Sequence, residues 1–173
     1  MTTQVPNTML EPSARFSNTR VLDGSSVASS QQPSALDTPL QVEFGPAVGS
    51  GATDVALSVA GALTVNVAGV YRIEISLQFG RTGGSAVSKL MFRAKVNGAQ
   101  AGATIMAHVD AAAVLTPFNE KSTLNLPAGA VLTWEIARSS AGSGNNSGGL
   151  FAGDVAGGRN AAPCARIRVD RLR

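Results

Sequence analysis

Apolar residues recur at every second position over residues 69–79, GVYRIEISLQF, where Tyr71, Ile73, Ile75, Leu77 and Phe79 alternate with more polar neighbours. A period of two over this length describes an extended strand with one buried and one solvated face, which is how antiparallel sheets read. The same pattern predicts strands over 40–44, 63–67, 70–79, 89–96, 104–109, 122–126, 130–137 and 165–172. Turn signals separate them at Gly45-Pro46, Gly49-Ser50-Gly51, Ala68-Gly69, 80–84, Asn97-Gly98 and Pro127-Ala128-Gly129. Eight or so short strands at this spacing predict an all-β fold, an antiparallel two-sheet sandwich or jelly roll. The expected inward set is Tyr71, Ile73, Ile75, Leu77, Leu90, Phe92, Val96, Leu132, Trp134, Ile136, Ile167 and Val169. Arg72, Glu74, Arg93, Lys95, Thr133, Glu135, Arg166 and Arg168 fall between them and are expected to face water.

Composition agrees. Charged residues are 14% of the 173 and aromatics 5%, while glycines number 19, which suits many short strands and tight turns better than salt-bridged helices. The formal charge is +3, with Arg159, Arg166, Arg168, Arg171 and Arg173 gathered near one end. Such a group suits partner carboxylates or a solvated face, and without interleaved aromatics or a motif it does not predict a nucleic-acid partner. A single cysteine, Cys164, leaves no intrachain disulfide, so stability has to come from packing or assembly. Residues 1–10 have neither a basic nor an apolar leader segment, which predicts cytoplasmic synthesis. The uncharged run 55–71 alternates and contains Gly, Ser, Thr and Asn, so no membrane span is expected.

Two parts follow from this pattern, an extended N-terminal arm over 1–39 and a jelly-roll domain over 40–173. The first part is polar, with Pro6, Pro12, Pro33 and Pro39 and a Ser/Gln-rich run at 25–32. It cannot offset its own ordering entropy by apolar burial. Yet Met9, Leu10, Phe16, Val21 and Leu22 are spaced apolar residues, and Arg15 and Arg20 accompany them. That is what an arm laid along a partner would carry; a plain tail is the alternative. The tract 139–149, SSAGSGNNSGG, is expected to be a loop, and 154–163 another.

Catalytic constellations are sparse. His108 is the only histidine, lies in a short apolar strand, and reads as a structural or surface residue in preference to a catalytic base. Cys164 reads as a small packing residue. Eleven carboxylates form no D-x-D or E-x-x-H cluster. Glu74 and Glu135, on strands that could adjoin, would be the one pair with glycosidase chemistry, but cross-strand ion pairs account for them better. Asp110 or Asp154 joining a calcium site is a weaker reading, and no metal or cofactor is expected. The glycine-rich run 142–148 lacks the Lys-Ser/Thr pair of a phosphate loop, and the sequon at Asn145 predicts nothing without a secretory signal.

Four short motifs, in order, carry a resemblance over roughly 40–173: Gly69-x-Tyr71, Val96-Asn97-Gly98, Leu126-x-x-Gly129 and Phe151-x-Gly153. Their order resembles the C1q/TNF-like jelly roll. The resemblance implies two sheets, assembly as a homotrimer (a dimer being the alternative) through apolar and aromatic side chains, and no catalytic residues. Similar modules occur in bacterial virus particles as capsid decoration, cement and head-fibre proteins. With no disulfide, no collagen repeat and a polar arm, the expected role is therefore that of a non-enzymatic bacteriophage capsid decoration or cement protein. It would sit on the capsid exterior of the virion, bound to the major capsid protein through Met9, Leu10, Arg15, Phe16, Arg20, Val21 and Leu22, with no nucleic acid or membrane as partner. The other reading is a receptor- or glycan-binding module of a tail fibre or spike. Glycan sites usually present exposed aromatic platforms, and the one Trp and one Tyr here are both expected inside.

Overall fold

The alternating stretch forms β7 (Gly69–Arg81), the middle of the first sheet. The computed structural model describes residues 19–26, 30–48, 53–83, 87–112, 114–141, 147–153 and 162–172, and these contain thirteen strands and no helix. Antiparallel partners β13 (Ala165–Arg171) and β10 (Thr116–Leu126) run along the two edges of β7. Beyond β13 lie β1 (Thr19–Ser26) and β4 (Ala47–Val48). At the far end of β7, β12 (Gly148–Phe151) pairs with Phe79 to Arg81, and β2 (Ser30–Gln31) pairs with β12. The second sheet is ordered β5 (Val55–Leu57), β6 (Leu63–Val65), β11 (Val131–Arg138), β8 (Ser88–Val96), β9 (Ala99–Val109), with β3 (Leu40–Gln41) also on β11. The fold is thus an all-β, antiparallel two-sheet jelly roll.

Between the sheets lies one core. Of the twelve residues expected inside, eleven are buried and Val96 is half-buried. Phe44 meets Trp134 edge-on at 5.4 Å, the geometry that ring quadrupoles favour. Two devices fix the connections. Asn97 and Gly98 both have positive φ, 50° and 82°, as a tight hairpin turn requires. The Asn97 side chain also accepts the Val131 N–H at 2.9 Å, tying this turn to the neighbouring strand. The Gln31 side chain imitates a strand: its Oε1 accepts the Glu43 N–H at 2.8 Å while its Nε2 donates to the Glu43 carbonyl at 2.9 Å.

Several boundaries differ from the sequence expectation. β10 starts at Thr116 rather than at 122, and β9 at Ala99 rather than at 104. Both are edge strands, so their inward rows are only half-buried and tolerate Glu120, Ser122 and alanines, which hide the alternation. β12 lies within and beyond the stretch 139–149 expected to be loop, because its two glycines are needed for close packing. A Cβ on Gly148 would strike Ser88 Oγ, and one on Gly149 would stand 2.5 Å from the Gln31 carbonyl oxygen. Within 1–39, β1 and β2 are sheet strands of the jelly roll, and Leu36 bridges to Arg138.

Candidate functional site

Glu74 and Glu135 are in different sheets and are not a catalytic pair. Each is held by cations across neighbouring strands instead. Glu135 accepts from Arg93 at 2.7 Å and Lys95 at 3.0 Å, both on β8. Burial is the largest single influence on its carboxyl and pushes it up, but the hydrogen bonds from Lys95 and Arg93 together hold it below the usual range. Glu74 meets Lys121 at 3.1 Å and Arg72 at 3.5 Å. Arg72 also donates to Asp170 at 2.8 Å, and Arg168 lies 3.2 Å from the same carboxylate. The outer face of the first sheet is thus crossed by a ladder of charges from β10 through β7 to β13.

His108 is exposed on β9, and Cys164 is fully buried, where Gln31 Nε2 approaches its sulfur at 3.3 Å. Among the described residues no group of three or more His, Cys, Asp or Glu side chains is arranged to hold a metal; Asp110 is exposed, and Asp154 lies outside the described residues. No helix of the described residues is long and apolar enough to cross a membrane. Trp134 and Tyr71 are both in the core. Burial pushes the Tyr71 phenol up, and its hydroxyl donates to the Val67 carbonyl at 2.6 Å. Neither aromatic is available as a sugar platform.

Of the residues expected to bind a capsid, Met9, Leu10, Arg15 and Phe16 lie outside the described residues. Arg20, Val21 and Leu22 lie on β1, whose backbone pairs with β13 of the same chain.

The feature that sequence reasoning missed is the mouth of the sandwich between β9 and β10. Each is the last strand of its sheet, so each leaves one backbone edge unpaired among the described residues. Ile105 and Ala107 on β9, and Phe118 and Leu124 on β10, pack on the core while remaining half-exposed. Phe118 spans the two sheets, its ring 5.7 Å from Phe79 and 5.3 Å from Phe92. Glu120 stands between Phe118 and Leu124 in the same inward row, opposite the buried Ile75. This strip is largely apolar, with Glu120 and Ser122 in its row, and is open on one side.

The architecture is the C1q/TNF-like jelly roll. The chain is similar to the Eiger TNF of S. frugiperda, with a TM-score of 0.56 and 11% identity over 90% of this chain and 93% of that one. It is likewise similar to the globular domain of zebrafish complement 1qA, with a TM-score of 0.52 and 13% identity, covering 90% and 98%. Murine APRIL matches with a TM-score of 0.51 and 11% identity, covering 88% and 98%. These identities define a shared fold. No family model matches the sequence, and no curated protein does either.

Proposed function

We propose that this chain is a non-enzymatic virion structural protein, a bacteriophage capsid decoration or cement protein that works as a homo-oligomer, a trimer, on the outside of the head shell. The observation that carries the reading is the open strip of Ile105, Ala107, Phe118 and Leu124 between two unpaired strand edges. A strip of this kind is stabilised by covering it, and a second copy supplies the cover at every site in an assembly. The location rests on the expectation, drawn from the resemblance to the C1q/TNF-like family, that similar modules occur in bacterial virus particles. The burial of Trp134 and Tyr71 favours this reading over a glycan-binding tip. In this account residues 1–18, with Met9, Leu10, Arg15 and Phe16, contact the major capsid protein. Arg20, Val21 and Leu22 continue from that contact into the first sheet.

Light scattering on the purified protein, immunogold labelling of particles, and decoration of heads by a variant lacking residues 1–18 test it. The expected results are a trimer, label on heads, and a β-folded variant with at least tenfold lower occupancy. Label on tail tips, or a monomer at working concentration, overturns the reading.

A further inference from the structure

The outer face of the second sheet carries Gln41, Glu135, Arg93 and Lys95, yet one apolar row crosses it. Ala137, Met91 and Met106 stand in register on β11, β8 and β9, and Met106 is 50% exposed. Beside this row lies a hollow of about 120 Å³. Pro39, Met91 and Ala137 line it with apolar surface, and Asp37, Arg93, Thr104 and Glu135 supply its polar groups. Arg93 is the one cation of this lining among the described residues, and it is committed to Glu135 at 2.7 Å. Asp37 is exposed and forms no ion pair among the described residues. It is nevertheless fixed in place. Its φ is 54°, its N–H donates to the Arg138 carbonyl at 2.7 Å, and its Oδ1 accepts the Ser140 N–H at 2.9 Å. Hydrogen bonds from Ser140 hold the Asp37 carboxyl below its usual range, so the group is charged at neutral pH.

We propose that this hollow receives one lysine side chain of the major capsid protein, with its alkyl stem laid on Met91, Ala137 and Pro39 and its ammonium at Asp37. The inference rests on the capsid reading above and adds to it the part of the jelly roll that meets the shell. Charge selects the occupant. An acidic group would face Asp37 and Glu135, and a wholly apolar one would cover Asp37 without supplying a counter-charge. A lysine meets both demands, since its stem buries on apolar surface while the ammonium stays at the rim. Arginine fits less well: its planar fork takes both oxygens of a carboxylate, and Ser140 already holds Oδ1, whereas a compact ammonium needs one oxygen only. The strip of Ile105, Ala107, Phe118 and Leu124 packs on the core, so self-assembly and this contact draw on different residues. With residues 1–18 the hollow gives two linked contacts to one partner, which together hold more firmly than either alone.

Methionine methyl resonances test the hollow directly. In the full chain with isotope-labelled methionine methyl groups, titration with Nα-acetyl-lysine methylamide is expected to move the Met91 signal saturably, in the millimolar range, and to leave Met9 in place. The same compound acetylated on its side-chain nitrogen is expected to have no such effect. Asp37→Asn, which keeps the shape of the side chain, is expected to weaken binding of the amine at least tenfold, and Ala137→Leu, which fills the hollow and leaves Asp37 intact, to abolish it. Both variants are expected to keep the thermal midpoint of the parent and to decorate heads with at least tenfold lower occupancy. A Met91 signal that stays still, that moves equally with the acetylated compound, or that moves equally in Asp37→Asn overturns the lysine site whether or not the parent decorates heads. Variants that lose the amine but decorate heads as the parent does overturn the shell contact. A parent that binds the amine and does not add to heads overturns the capsid reading and leaves the hollow as a lysine site for another partner.

Discussion

Arg72 on β7 directs two N–H groups at one oxygen of Asp170 on β13, Nη2 at 2.8 Å and Nε at 3.2 Å, and Asp170 is only 1% exposed. The hydrogen bond to Asp170 is also the main reason the guanidinium of Arg72 holds its proton more firmly than usual. Removing the carboxylate would leave Arg72 with only the more distant Glu74, at 3.5 Å, and would take from Arg168 its ion-pair partner. Asp170→Ala is therefore expected to destabilise the fold by about 3 kcal/mol, the scale seen when one member of a buried ion pair is deleted. Urea denaturation checks this; a loss near zero would show that the ladder is incidental.

Glu135 makes the second sheet sensitive to acid. Its carboxyl releases its proton more readily in the folded chain than in the unfolded one, so the ionised form favours folding. That contribution is fully present above the ordinary carboxylate value, about 4.3, and is lost as pH falls through the lowered folded value. Glu135→Gln is expected to cost about 1 kcal/mol at neutral pH. The difference from the parent should shrink to nothing in denaturation series run below that range.

Gly61 has φ of 82°, and a Cβ there would collide with the Val42 carbonyl oxygen. Gly61→Ala meets both the left-handed backbone penalty and a clash with main chain that has no rotamer to escape into. A loss of roughly 2 to 4 kcal/mol is expected. At Gly98, where φ is also 82° but the space is open, the same substitution is expected to cost only the backbone term, about 1 kcal/mol. Thermal midpoints of the two variants give the comparison directly.

Phe118 serves the core and the mouth at once. Phe118→Ala is expected to cost about 2 kcal/mol, less than a fully buried ring because part of it is already exposed. Self-association should weaken as well. Phe118→Leu should recover most of the stability, and light scattering alongside denaturation separates the two effects.

Where strands lie in the middle of a sheet, the sequence was readable: β7, β8, β11 and β13 begin and end within two residues of expectation, and the residues expected inside are buried, Val96 at the end of β8 excepted. The fold class followed from these four, together with the turn at Asn97-Gly98. Reading failed where burial is partial or supplied by backbone. β10 carries Pro117, Glu120 and Ser122 in what should be an apolar alternation, since an edge strand faces core on one side and open space beyond. β9 is interrupted at Gly102, φ 76°, where the ladder to β8 shifts register and the Gln100 side chain reaches Thr104. β2 is two residues long and depends on one glutamine side chain, which no periodicity reveals. The mouth went unseen for the same reason. Phe118 and Leu124 read as ordinary strand residues, and only the three-dimensional order of strands shows that nothing in the described chain lies beside them.

Because β1, the earliest strand described, pairs along its length with β13, the last described, the first sheet cannot close until residues 165–171 have been synthesised. Pairings between such distant segments bring a loop-closure cost before they bring any gain, so closure of the first sheet is expected to be slow and to wait for β13. Until then the edge of β7 that β13 covers stands bare, while β10 can already pair with the other. Loss of β13 therefore does more than remove one strand: it takes away the partner of β1 and the cover of one edge of β7 together, and leaves the two halves of the first sheet unjoined.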